Sequence, residues 1–128
     1  MVNYSAILVA SIIGYLIPML WYSPILFGKQ WLKLTKMKNM KMSTGVFIVG
    51  FVSTLVFNYV LAVIVEYSRS NTFIDGAGIG LLAWFGFIAT VSLGGVLYEK
   101  MPLSLYWINT IQYLISIVIA GGILSVWQ

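Results

Sequence analysis

Long apolar runs, each closed by a short cluster of charge, set the rhythm of this chain. Residues 1–28 carry no charged side chain, and then Lys29, Lys33, Lys36, Lys38 and Lys41 follow within a short stretch. A second uncharged run extends from Met42 to Val65 and closes at Glu66, Arg69 and Asp75. The third runs from Gly76 to Tyr98 and closes at Glu99 and Lys100, and the last occupies Met101 to Gln128. A helix rises about 1.5 Å per residue, so each run is long enough to cross a hydrocarbon core about 30 Å thick. The pattern predicts an all-α, polytopic membrane protein. Its single transmembrane domain, residues 1–128, is a four-helix bundle with spans at about 3–22, 44–66, 76–98 and 103–126.

The first run lacks the basic start and the small-residue cleavage site of a signal peptide and continues into bulky Trp21 and Tyr22, so it reads as a retained helix. Orientation follows from Lys and Arg in the short loops. The first loop holds five lysines and the third holds Lys100, against Arg69 alone in the second. This bias places loops 23–43 and 99–102 in the cytoplasm and both termini outside, in a multi-pass protein of the cell membrane. It also argues against insertion in both orientations.

Within the first span, Pro18 removes a backbone donor about a turn before the end, which predicts a kink near Gly14 to Pro18. Trp21 and Tyr22 suit the headgroup boundary. Ser23 reads as an N-cap with Pro24 at the first helical position, opening a segment over about 24–38. There Phe27, Trp31 and Leu34 recur at helical spacing opposite Lys29, Lys33 and Lys36. This is the pattern of an amphipathic cytoplasmic helix lying in the interface, rings in the acyl boundary and lysines on anionic lipid.

Polar groups inside the spans are few and ordered. Gly50, Thr54, Asn58, Ala62 and Glu66 follow one another at intervals of four, a stripe of small and polar groups on span two. On span four, Asn109, Gln112 and Ser116 share a face with Tyr113 adjacent. These side chains either line a polar cavity or bond across a helix interface, where such a bond is worth about 0.6–2 kcal/mol. Span three carries Gly76 and Gly80 on one face and Gly86, Thr90 and Gly94 on another, which suggests close packing within the bundle or a homo-oligomer contact.

Composition limits the chemistry. The chain is 61% hydrophobic and 8% charged, against about 25% charged in soluble domains. It has no cysteine and no histidine, hence no thiolate nucleophile, no imidazole base and no thiolate or imidazole metal ligand. No carboxylate lies paired inside a span. An enzyme is therefore not expected, and no metal or cofactor is implied. The net charge of +4 comes from a short lysine cluster, which points to a membrane surface and away from nucleic acid.

At Trp21-Tyr22-Ser23-Pro24-Ile25-Leu26-Phe27-Gly28, followed by Trp31, the sequence resembles the small membrane proteins grouped as domain of unknown function 1761. The likeness continues through Ala83-Trp84-Phe85-Gly86-Phe87-Ile88-Ala89-Thr90 and through Pro102-Leu103, Leu105-Tyr106, Ile108-Asn109, Tyr113-Leu114 and Ser116. The resemblance implies a four-helix integral membrane protein and carries no activity with it.

Two functions remain in view. The leading expectation is a non-catalytic bundle that binds lipid or a partner through its basic cytoplasmic face. The alternative is a small channel or carrier for a neutral or weakly polar solute, lined by Asn58, Asn109 and Gln112. It would not be ion-coupled, because no charge lies well inside a span.

Overall fold

Helix α1 starts where the Asn3 side chain accepts hydrogen bonds from the backbone of Ser5 and Ala6, and it runs over Tyr4–Trp21, continuing through Pro18. The structure, a computed structural model, describes residues 2–38 and 43–128. Lys41 lies outside the described residues. A tight turn leads to the short helix α2 (Gly28–Thr35), and α3 follows over Thr44–Tyr67 with Ser43 as its cap. The third long helix, Phe73–Tyr98, is continuous but not uniform. It comprises α4 (Phe73–Ala83), a π-helical segment (Trp84–Ala89) and α5 (Thr90–Tyr98). Helix α6 spans Leu103–Val126. Among the described residues, four helices are long and apolar enough to cross a membrane. The protein is a multi-pass membrane helical bundle.

Helix α6 is its axis and touches α1, α2, α3, α4, the π segment and α5. Lipid chains are as apolar as leucine, so helices in a bilayer associate by close packing and interhelical bonds rather than by escape from water. The α4–α6 contact shows this directly. A Cβ placed on Gly76 would stand 2.1 Å from the Gly121 carbonyl oxygen, and one on Gly80 would stand 2.4 Å from that of Ile117. The first glycine face of span three is thus occupied within the chain. Around Gly86 a Cβ would meet nothing within 4 Å. Any homo-oligomer contact through this helix would have to use that second, open face.

The core lies toward the end of the bundle that carries the termini. Ala6, Ala10, Leu61, Val65, Ile117, Ala120 and Leu124 are buried there together. Toward the opposite, lysine-bearing end Leu105, Tyr106, Ile108 and Thr110 of α6 remain buried, while α3 is left largely uncovered. Between Thr44 and Phe57, the first half of α3, every residue is exposed or half-buried. That half is held to α1 through Tyr15, whose ring packs edge-on against Phe47 and Phe51 and whose hydroxyl donates to the Phe47 carbonyl at 3.0 Å. The bundle is therefore packed on all sides at the termini end and open along α3 at the other.

The lysine segment differs from its expected form. Its helix begins at Gly28 rather than Pro24, because Ser23 turns back: its hydroxyl donates to the Leu20 carbonyl at 2.6 Å, closing α1 instead of capping α2. Gly28 is required at this turn. A Cβ there would lie 2.3 Å from the Tyr22 carbonyl oxygen. Lys36 ends α2 in the left-handed conformation at φ 60°, with its N–H directed to Lys33 and that of Met37 to Leu32, a Schellman arrangement.

Candidate functional site

Four aromatic side chains set the geometry of the open half. The Trp21 indole N–H donates to the Ile108 carbonyl at 2.9 Å, and that of Trp84 donates to the Thr110 carbonyl at 2.7 Å. A helical carbonyl retains a second lone pair, so α6 accepts both without breaking its own ladder. In return, the Tyr106 hydroxyl of α6 donates to the Ala89 carbonyl of the π segment at 2.7 Å. Tyr22 donates to Asn109 Oδ1 at 2.8 Å. The π segment coincides with the second stretch of the resemblance, Ala83 to Thr90. The Trp21–Gly28 turn and the π segment both bond to α6 between Tyr106 and Thr110, so the three separate motifs meet on that helix. The single-turn widening of a π-helix is often found at functional sites.

Two cavities open between these elements. The inner one, about 430 Å³, lies among α1, α3 and α6 and is lined by Gly14, Tyr15, Thr54, Asn58, Gln112, Tyr113 and Ser116, with Tyr22 at its edge. The outer cleft, about 700 Å³, lies among α5, α6 and the 22–31 segment and is lined by Tyr22, Trp31, Tyr98, Glu99, Tyr106, Asn109 and Tyr113. Tyr22 and Tyr113 line both.

Asn58 is the deepest polar group of the inner cavity. It is 2% exposed, and its Nδ2 donates to Ser11 Oγ on α1 at 3.0 Å. Its Oδ1 is buried with no protein partner. A buried amide oxygen left unpaired is costly, about 1–3 kcal/mol, so this acceptor is suited to a hydroxyl or amide N–H brought by a water or solute. Gln112, 4% exposed, donates from Nε2 to Ser116 Oγ at 2.8 Å, one turn along the same helix. Thr54 donates its hydroxyl to the Gly50 carbonyl at 3.0 Å, leaving the oxygen's lone pairs.

The structure thus brings Thr54, Asn58, Gln112, Tyr113 and Ser116 together on one cavity, while Asn109 falls on the other, tied to Tyr22. Phe27 and Trp31 turn toward the bundle: their rings lie 4.5 Å from Trp21 and 5.8 Å from Tyr22, respectively. Lys29, Lys33 and Lys36 are exposed, as are Pro24 and Leu26. Ser11 and Tyr15 were not singled out from the sequence, and Trp84 and Tyr106 entered only as positions of the family resemblance, with no role. Ser11 carried a signal of its own, as a hydroxyl three residues before Gly14 in the apolar middle of α1. Among the described residues, no three His, Cys, Asp or Glu side chains come together as a metal site.

A family described as Protein of unknown function (DUF1761) has a sequence model that matches residues 5–125. No curated protein and no solved structure matches the chain.

Proposed function

As the chain belongs to the DUF1761 family of proteins of unknown function, which assigns no activity, we propose from its own geometry that it binds a small uncharged polar solute in the inner cavity and admits it from the lysine-bearing end. The observation that carries this reading is the Asn58 Oδ1, a buried acceptor without a protein partner at a cavity of about 430 Å³. A solute hydroxyl or amide satisfies it. None of the residues lining that cavity is charged, so an ion would lose its hydration without compensation. The termini end of the bundle is packed, which suits a carrier caught open to one side better than a continuous pore. By the lysine bias, that open side is the cytoplasm and both termini lie outside the cell membrane. The hydroxyls that line the cavity have no carboxylate, lysine or other charged side chain beside them in that lining to activate them, which supports a non-catalytic role.

Flux tests the proposal. Proteoliposomes are shrunk with glycerol or urea and their reswelling is followed by light scattering. Asn58→Leu and Gln112→Leu are expected to slow the protein-dependent rate several-fold, with Asn109→Leu affecting it less. Equal rates in all three variants and the parent would reject this lining.

A second reading rests on α2. Its lysines 29, 33 and 36 face outward while Phe27 and Trp31 dock it on the bundle, a rigid basic surface suited to anionic lipid or an acidic partner. Native mass spectrometry would show a preference for anionic lipid that Lys29→Gln/Lys33→Gln/Lys36→Gln abolishes. A preference unchanged by that variant would count against it.

A further inference from the structure

The outer cleft has a chemistry different from the inner cavity. Five of its lining side chains are aromatic: Tyr22, Trp31, Tyr98, Tyr106 and Tyr113. Glu99 is the one charged residue among those lining it. The carboxylate folds back over Gly95, another lining residue, so that its Oε2 stands 3.7 Å from where a Gly95 Cβ would be. Three hydroxyl protons of the cleft are directed elsewhere, while the Trp31 indole N–H, the Asn109 amide and the hydroxyls of Ser92, Tyr98 and Tyr113 also belong to its lining. Tyr22 donates to Asn109, Tyr106 to the Ala89 carbonyl and Thr110 to the Tyr106 carbonyl. The cleft thus presents five aromatic rings and a mixed set of polar groups, with a carboxylate at the rim as its one charge.

Such a surroundings attracts a cation that carries little hydration of its own. Aromatic rings hold quaternary and alkylated ammonium groups through their negative faces, and desolvation strengthens the attraction. A compact, strongly hydrated metal ion would lack the oxygen ligands it needs. The rings are also fixed in advance: Tyr22 and Tyr106 by their hydroxyl bonds, and Trp31 by its edge contact with Tyr22 at 5.8 Å. Preorganisation of this kind lowers the ordering cost of binding. A volume of about 700 Å³ lies within the usual range of ligand sites. We propose that the outer cleft, walled by Tyr22, Trp31 and Tyr106 with the exposed Tyr98 and Glu99 at its rim, binds an alkylated ammonium group, either a free organic cation or the choline headgroup of a lipid. The proposal stands apart from solute passage through the inner cavity, since it concerns binding at a different set of residues.

The test is equilibrium dialysis of labelled choline against the full chain in nanodiscs of phosphatidylglycerol, with empty nanodiscs subtracted. The neutral isostere 3,3-dimethylbutan-1-ol is the competitor. Choline is expected to bind saturably, with the isostere at least roughly ten-fold weaker, Trp31→Leu weakening choline by roughly five- to thirty-fold and Glu99→Gln by several-fold. Glu99 is exposed, so that variant keeps the fold even if the tryptophan variant does not. Absence of saturable binding, an isostere as good as choline, or affinity unchanged by Glu99→Gln would overturn the proposal. A final arm separates the sources. Weaker apparent choline affinity in phosphatidylcholine nanodiscs supports the lipid headgroup, and unchanged affinity there supports a free cation.

Discussion

Asn58 on α3 and Ser11 on α1 are joined by a hydrogen bond of 3.0 Å at the depth where the bundle passes from packed to open. Both are buried, and on the termini side of them lie Ala6, Ala10, Leu61 and Val65. On the other side α1, α3 and α6 line the inner cavity. A double-mutant cycle of Ser11→Ala and Asn58→Ala is expected to give a coupling of about 0.6–1.7 kcal/mol, the range for interhelical bonds in membranes. Reversible unfolding in mixed detergent measures it, and additive losses would show that the bond contributes nothing.

Glycine substitutions should separate sharply by position. Gly76→Ala drives a methyl group into the Gly121 carbonyl and should cost about 1–3 kcal/mol or more. Gly78→Ala and Gly86→Ala have open space and should gain about 0.5–1 kcal/mol from reduced chain entropy. Thermal unfolding of the three variants side by side decides this.

The two indole bonds to α6 predict a loss that spares the rings. Trp21→Phe and Trp84→Phe remove N–H donors to Ile108 and Thr110 and should each cost about 0.5–1.5 kcal/mol. Trp107→Phe, at a half-exposed position with its ring beside Tyr106, should change stability by less than about 0.5 kcal/mol. The same unfolding assay reads all three.

Lys36 lies in the left-handed region, where a side chain costs about 1 kcal/mol relative to glycine. Lys36→Gly should therefore be more stable than Lys36→Gln. The two variants lose the same charge, so a difference in thermal midpoint isolates the backbone effect.

The spans were legible because charge punctuates the apolar runs, and the stripe through Thr54 and Asn58 was legible from its spacing. Other features depended on contacts far along the chain. Ser23-Pro24 has the local pattern of a helix start, yet the Ser23 hydroxyl bonds back to the Leu20 carbonyl and closes α1, and the turn that follows leaves no room for a side chain at Gly28, where α2 begins. Asn109 and Gln112 share one helical face, but Tyr22 reaches across to Asn109 and assigns the two amides to different cavities. The Gly76–Gly80 pair announced a close contact without naming Gly121 as its partner. The π segment has no composition that distinguishes it from an α-helix. It shows in its main-chain bonding, and Thr90 and Tyr106 donate to two of its carbonyls.

The proposed solute path requires an inner cavity that is wet and reached from the lysine-bearing end. The chain has no cysteine, so single cysteines can be introduced without background. Thr54→Cys and Ser116→Cys, in vesicles of known orientation, are expected to react with a small membrane-impermeant thiosulfonate applied from that end. Leu124→Cys, in the packed core, should stay inert. Failure of both cavity cysteines to react, at rates no greater than that of Leu124→Cys, would contradict the account.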